Sequence, residues 1–199
     1  MILGILLLAG ALGLTAHNKY LENAARRNSD EVLMQMAELP PVEEPDDPEY
    51  IPDYVLNPGM PMPTVEINGH NYCGSLLVPA LDLAWPVMSE WNYDKLRIAP
   101  CVYVGTCYGQ GFVIMAHNYN SHFGPIKDLE MGDEVVFQDL ANNRFHYVVE
   151  DAEELQPTAI EETIDSGYDL TLFTCTPGGS ARVTIRCTLV EAEHLTNQD

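Results

Sequence analysis

Basic residues are scarce in this chain: nine lysines and arginines stand against 30 aspartates and glutamates over 199 residues, a formal charge of −21. Such a surface cannot neutralise a run of phosphates, which excludes nucleic acid as a partner. Metal-ligand spacing is also missing. The six histidines and five cysteines contain no HxxxH or CxxC pair, so no metal site is read from them. There is no internal repeat and only one long uncharged apolar run, residues 1–16. As a helix that run spans roughly 24 Å, short of a hydrocarbon core of about 30 Å. Lys19, Arg26 and Arg27 all follow it, opposite to the usual placement of positive charge. Two readings stay open: a signal anchor whose start lies a few codons upstream, or a signal peptide cleaved at Ala9-Gly10-Ala11.

What is present divides the chain. Leu21, Ala24, Ala25, Val32, Leu33 and Met36 recur at helical spacing, and Pro40-Pro41 stop the pattern, so a stalk helix is expected there. Residues 43–63 are rich in Pro, Asp and Glu and lack periodicity, the composition of an extended linker. The expected boundaries are residues 1–16 for the anchor, 17–67 for stalk and linker, 68–193 for a folded domain and 194–199 for a polar tail. From Gly74 the pattern turns to β. Short apolar runs lie at 75–78, 83–87, 112–115, 134–138, 145–149, 170–174 and 183–190, separated by turn clusters. Phe145, Tyr147 and Val149 alternate with polar neighbours, the period of a half-buried strand. Many short strands indicate a mainly β barrel or sandwich.

The chemistry concentrates at strand ends. Thr171-Leu172-Phe173-Thr174-Cys175 closes one run on a thiol, and after a Pro/Gly-rich loop Arg182 opens the next. A thiol beside a fixed positive charge at a strand rim is the setting of a nucleophile. Five cysteines is an odd number, so at least one has no partner within the chain. Phe112-Val113-Ile114-Met115 runs into Ala116-His117-Asn118, which puts a histidine at a rigid strand end. Arg186 lies about 13 Å further along the strand than Arg182 and is read as a surface charge. His122 is read as a loop or pocket-wall residue, and Cys101 and Cys107 as open to a disulfide.

A histidine closing a strand ahead of His122-Phe123, Leu129 and Gly132-Asp133, followed by TLFTC and then an arginine, resembles the sortases. These are cell-surface cysteine transpeptidases of mainly Gram-positive bacteria. The likeness runs from about Gly74 to Val190, with Ala116 standing where the family usually has glycine. It implies a closed eight-stranded β-barrel with short helices, placed at 121–129 and 157–164, held at the cell membrane by a single N-terminal pass with the catalytic domain outside. It implies Cys175 as nucleophile, His117 as general acid and base, and Arg182 as oxyanion and substrate ligand. No cofactor is implied; the acidic residues at 150–154 and 161–162 are read as a solvated face rather than a calcium site. The implied partners are LPxTG-like sorting peptides and an amine acceptor such as a peptidoglycan precursor. Thr174, Leu155, Pro157, Ala159 and Ile160 are expected to contact substrate, the last four on the connection 150–169. A lid like that of pilin-assembling sortases needs an Asp-Pro-aromatic element. Here Glu49 stands between Asp47-Pro48 and Tyr50, so the match fails by one residue.

Two other readings compete. A surface cysteine peptidase that only hydrolyses would use the same residues with water as acceptor. A non-catalytic peptide-binding barrel would leave Cys175, His117 and Arg182 as coincidences.

Overall fold

The computed structural model describes residues 2–40 and 50–195. Residues 41–49, which carry the Asp47-Pro48-Glu49 element, and 196–199, most of the expected tail, lie outside them. The chain begins with one continuous helix, α1 (Ile2–Ala37), which runs through both the expected anchor and the expected stalk. Its leucines, alanines and glutamates are good helix formers, and it ends three residues before Pro40, which cannot continue it. Its first turns expose Ile5, Leu6, Leu7, Leu8, Leu12 and Leu14. Among the described residues no helix is long and apolar enough to cross a membrane. The helix is long enough, but its apolar stretch stops at Ala16 and the remaining turns carry charge.

Eight strands form a closed ring: β2 (His70–Val78), β3 (Leu83–Met88), β4 (Cys101–Val104), β5 (Phe112–Met115), β8 (Leu170–Cys175), β9 (Arg182–His194), β7 (Asn143–Leu155) and β6 (Glu134–Asp139), with β6 pairing back onto β2. β1 (Val65–Ile67) adds outside the ring as an antiparallel partner of β2. The sequence pattern places seven of these strands and misses β1 and β4, which are three and four residues long. Closure depends on Gly74. It pairs with Asp139, and a Cβ there would stand 2.3 Å from the Gln138 carbonyl oxygen. The helices are correspondingly short: α2 (Asp53–Leu56), α3 (Ile160–Ile164) and 3-10 turns, one of them at Gly124–Asp128.

Alternation sorts the side chains. Leu170, Leu172, Phe145, Tyr147, Val149 and Ile185 fill the inside of the ring with Phe112, Phe137 and Trp85. A second, smaller core lies outside it. There Val32 and Met36 of α1 meet Tyr72, Met88, Leu96, Ala99 and Cys101, with Met115 at the margin. This cover sits where the ring is thinnest, since β3 and β4 are joined by the single pair Met88–Cys101. Ala25, Ser29 and Val32, spaced four and three apart, are buried on one helical stripe.

The described part of the acidic segment is not a free linker. Tyr54 in α2 stacks on Tyr108 at 5.0 Å and meets Phe145 edge-on at 5.2 Å. Tyr108 donates to buried Asp139 at 2.7 Å, and Met62 packs against Cys107. Phe145 lies opposite Ala192 on β9, ten residues from Arg182 and so roughly 30 Å along the strand. Tyr54 therefore covers the end of the ring remote from Cys175.

Candidate active site

The β8–β9 hairpin brings the thiol and the guanidinium together by register. Cys175 and Arg182 are directly opposed, the last pair of the antiparallel ladder. The loop between them turns on Gly178 and Gly179, both at positive φ (86° and 75°), and is tied by Thr176 N–H donating to the Ala181 carbonyl at 3.0 Å. The Arg182 guanidinium donates to the Ala181 carbonyl at 3.2 Å, and among the described residues it has no carboxylate partner.

The histidine arrives from the other side. β5 runs parallel to β8 with Met115 level with Phe173, which carries His117, two residues past the end of β5, to the level of Cys175, the last residue of β8. Two bonds fasten these ends: Ala116 N–H donates to the Phe173 carbonyl at 3.3 Å, and the Thr174 hydroxyl to the Ala116 carbonyl at 2.8 Å. Thr174, expected at the substrate, is only 3 % exposed, and that bond occupies its hydroxyl. It positions the strand end carrying His117. Ala116 does not have positive φ, so its methyl group causes no backbone strain where the family usually has glycine.

Tyr119 is a residue the sequence reading passed over. Its ring stacks on His117 at 4.9 Å and 24°, whereas Asn118 makes no side-chain hydrogen bond among the described residues. Burial and then the nearby Arg97 guanidinium hold His117 below the ordinary histidine range.

His122 is fully buried, and neither ring nitrogen makes a hydrogen bond among the described residues. Burial pushes its pKa down to about 4; His117 adds to the shift and the Ile98 backbone opposes it. It is a core residue. Because the folded value lies below the ordinary 6.5, the unfolded chain binds a proton between pH 6.5 and 4 that the folded chain refuses. The stabilising contribution is present above pH 6.5 and lost as pH falls through 4, on the order of 3 kcal/mol in all. His122→Leu should flatten the acid limb of a stability–pH curve measured by urea unfolding. An unchanged limb would mean that another group controls it.

The five cysteines sort cleanly. Cys73, Cys101, Cys107 and Cys187 are buried and unpaired, so the open disulfide between Cys101 and Cys107 is not formed. Burial pushes the thiols of Cys73, Cys101 and Cys187 up to about 12, and Cys107 higher still. Cys175 alone is partly exposed.

Arg186 departs most from the sequence reading. It is 2 % exposed, not a surface charge. It pairs with Glu153 at 2.9 Å and donates to the carbonyls of Thr163 (3.1 Å) and Glu162 (2.6 Å) and to the Thr171 hydroxyl (3.0 Å). The cation thus sits against the end of α3 and fastens the connection 150–169 to β9. Residues 150–155 of that expected connection belong to β7, whose last residue, Leu155, opposes Arg182; beyond it Pro157 and Ile160 are exposed and Ala159 is half-buried. Glu153, one of the acids weighed for calcium, is engaged in this pair. Arg186→Lys should cost about 1–3 kcal/mol, since a single ammonium keeps the charge but leaves buried acceptors unsatisfied. Limited proteolysis should then cut within residues 156–169, and a protease pattern like that of the parent would count against this anchoring.

The sequence model of the sortase domain matches residues 76–190, more than half of the chain. The chain belongs to the sortase family. Solved structures agree in fold. Sortase A of Listeria monocytogenes superposes with TM-score 0.59 at 21% identity, covering 64% of this chain and 92% of its own. Sortase C-3 of Streptococcus pneumoniae gives 0.57 at 21%, covering 88% and 86%. Sortase E of Streptomyces avermitilis gives 0.54 at 24%, covering 61% and 90%. Among curated proteins none matches the sequence. Family membership makes a cysteine transpeptidase the class of activity to weigh for the site.

Proposed function

We propose that this sortase is a transpeptidase that cleaves an LPxTG-like sorting signal and passes the acyl group to an amine. The observation that carries the reading is the row Arg182, Cys175, His117 at three adjacent strand ends, with Cys175 the one partly exposed thiol. The Cys175 thiolate attacks the carbonyl of the scissile bond, and Arg182, without a carboxylate partner among the described residues, stabilises the oxyanion. His117 as imidazolium protonates the departing amine, leaving a thioester on Cys175. An incoming amine gives its proton to His117 as it attacks, and the thiolate leaves. Burial and then Arg97 lower the proton affinity of His117.

Leu155, Pro157, Ala159 and Ile160 offer an apolar wall for the Leu-Pro part of the signal, beside Arg182. The exposed leucines at the start of α1 suit a membrane-facing end, with the ring outside the cell. The test is incubation of the full chain with LPxTG-like peptides and candidate amines, with products read by mass. A thioester on Cys175 and an amine-bearing product support the reading. Hydrolysis alone, whatever amine is added, points to a peptidase. No adduct points to a binding protein.

A further inference from the structure

We propose that the groove between α1 and the His117 turn seats the incoming amine, and that it selects an amine bearing a carboxylate through Arg97. The inference rests on the transpeptidase reading and adds the chemistry of the second substrate. Across the strand ends the order is Arg182, Cys175, His117. The acyl group over Cys175 has its oxyanion toward Arg182, so the amine departs toward His117. The imidazole that protonates one amine later deprotonates the other at the same place, so both amines occupy the His117 side.

On that side lies a groove of about 330 Å³ between Leu21, Ala24 and Ala25 of α1 and Arg97, Ile98 and Tyr119 of the ring. That volume is at the small end for ligand pockets and suits a short peptide end. Tyr119 forms part of its wall and stacks directly on His117, so the groove opens one ring away from the imidazole. The lining contains no carboxylate, in a chain of charge −21. Arg97 is its permanent cation. Its side chain is 67 % exposed, and its pair with Asp94, itself 91 % exposed, is long at 3.6 Å. Such a pair yields readily to a better ligand. A carboxylate accepts two parallel N–H bonds from a guanidinium, which would hold the acceptor by its acid group with its amine toward His117.

The experiment uses the full chain, an LPxTG-like donor peptide, and two acceptors, diglycine and diglycine amide. They are compared in the parent, Arg97→Gln and Arg97→Lys. Arg97→Gln should raise the KM for diglycine about tenfold relative to that for the amide, since any change in His117 falls on both acceptors alike. Comparing each acceptor across variants cancels the difference in amine basicity. Arg97→Lys should restore part of the loss, and Cys175 thioester formation without acceptor should persist in all three. Equal effects on both acceptors, or none, overturn the proposal, as does a parent that incorporates neither while forming the thioester. A parent that forms no thioester overturns instead the transpeptidase reading beneath it.

Discussion

Cys175→Ala should leave no covalent adduct with an LPxTG-like substrate, because the other four thiols are buried and held in the protonated form. His117→Ala should lose about 10²–10⁴-fold in turnover, the usual share of general acid–base catalysis, because the amine must then leave unprotonated. Arg182→Lys should also be impaired, since a point charge does not reproduce the planar donor fork at an oxyanion. Thr174→Val belongs in the same series. It removes the bond to the Ala116 carbonyl while keeping shape, and should lower turnover more than substrate affinity. His122→Ala should retain catalysis at reduced stability. The measurement is adduct formation by mass, with turnover for variants that still acylate. An adduct on Cys175→Ala, or an active His117→Ala beside a dead but folded His122→Ala, would refute the assignment.

Removing residues 1–37 should destabilise the ring and not merely release it from a tether. Val32 and Ala25 are buried, and their loss would uncover Tyr72, Met88, Leu96, Ala99 and Cys101 at the thin β3–β4 seam. Full burial of each large aliphatic side chain contributes roughly 1.5–3 kcal/mol, so a loss of about 4 kcal/mol and a melting point lower by about 10–15 °C are expected. The damage should reach the site. The Ser121 hydroxyl donates to the Glu22 carbonyl at 3.1 Å, and Met115, two residues before His117, borders the uncovered core. Circular dichroism melting of the shortened chain, with thiol labelling of Cys175 in parallel, reads both effects. A melting point within about 2 °C of the full chain would show α1 to be a passive stalk.

Strand recognition worked where strands are long and patterned. Apolar–polar alternation marks 145–149 because one face of β7 meets the core and the other meets water. β1 escaped because three residues leave no period to detect; β4 is no shorter than β5, which was found, and nothing local separates the two. The groups misjudged are those whose environment is made by distant chain. Arg186 looks like a solvent charge on a strand, yet its partners lie 15 to 33 residues earlier in the chain. Tyr54 sits in a segment whose composition predicts no burial, yet an aromatic ring finds Tyr108 and Phe145.

The sequence by itself determined the β-rich class, the family resemblance, and the proximity of Cys175 and Arg182. A six-residue Pro/Gly loop between two strands leaves little choice but a hairpin. Only the tertiary structure decided that His117 stands level with Cys175, because parallel pairing of β5 and β8 joins positions 58 residues apart that no local pattern relates. It also decided which cysteine is accessible, that Thr174 points inward and that Arg186 is buried. It made Val32 and Met36 of α1 part of the molecule's second core. Exposure, register and the partners of a buried charge are properties of the whole packed chain, and local propensity carries no record of them.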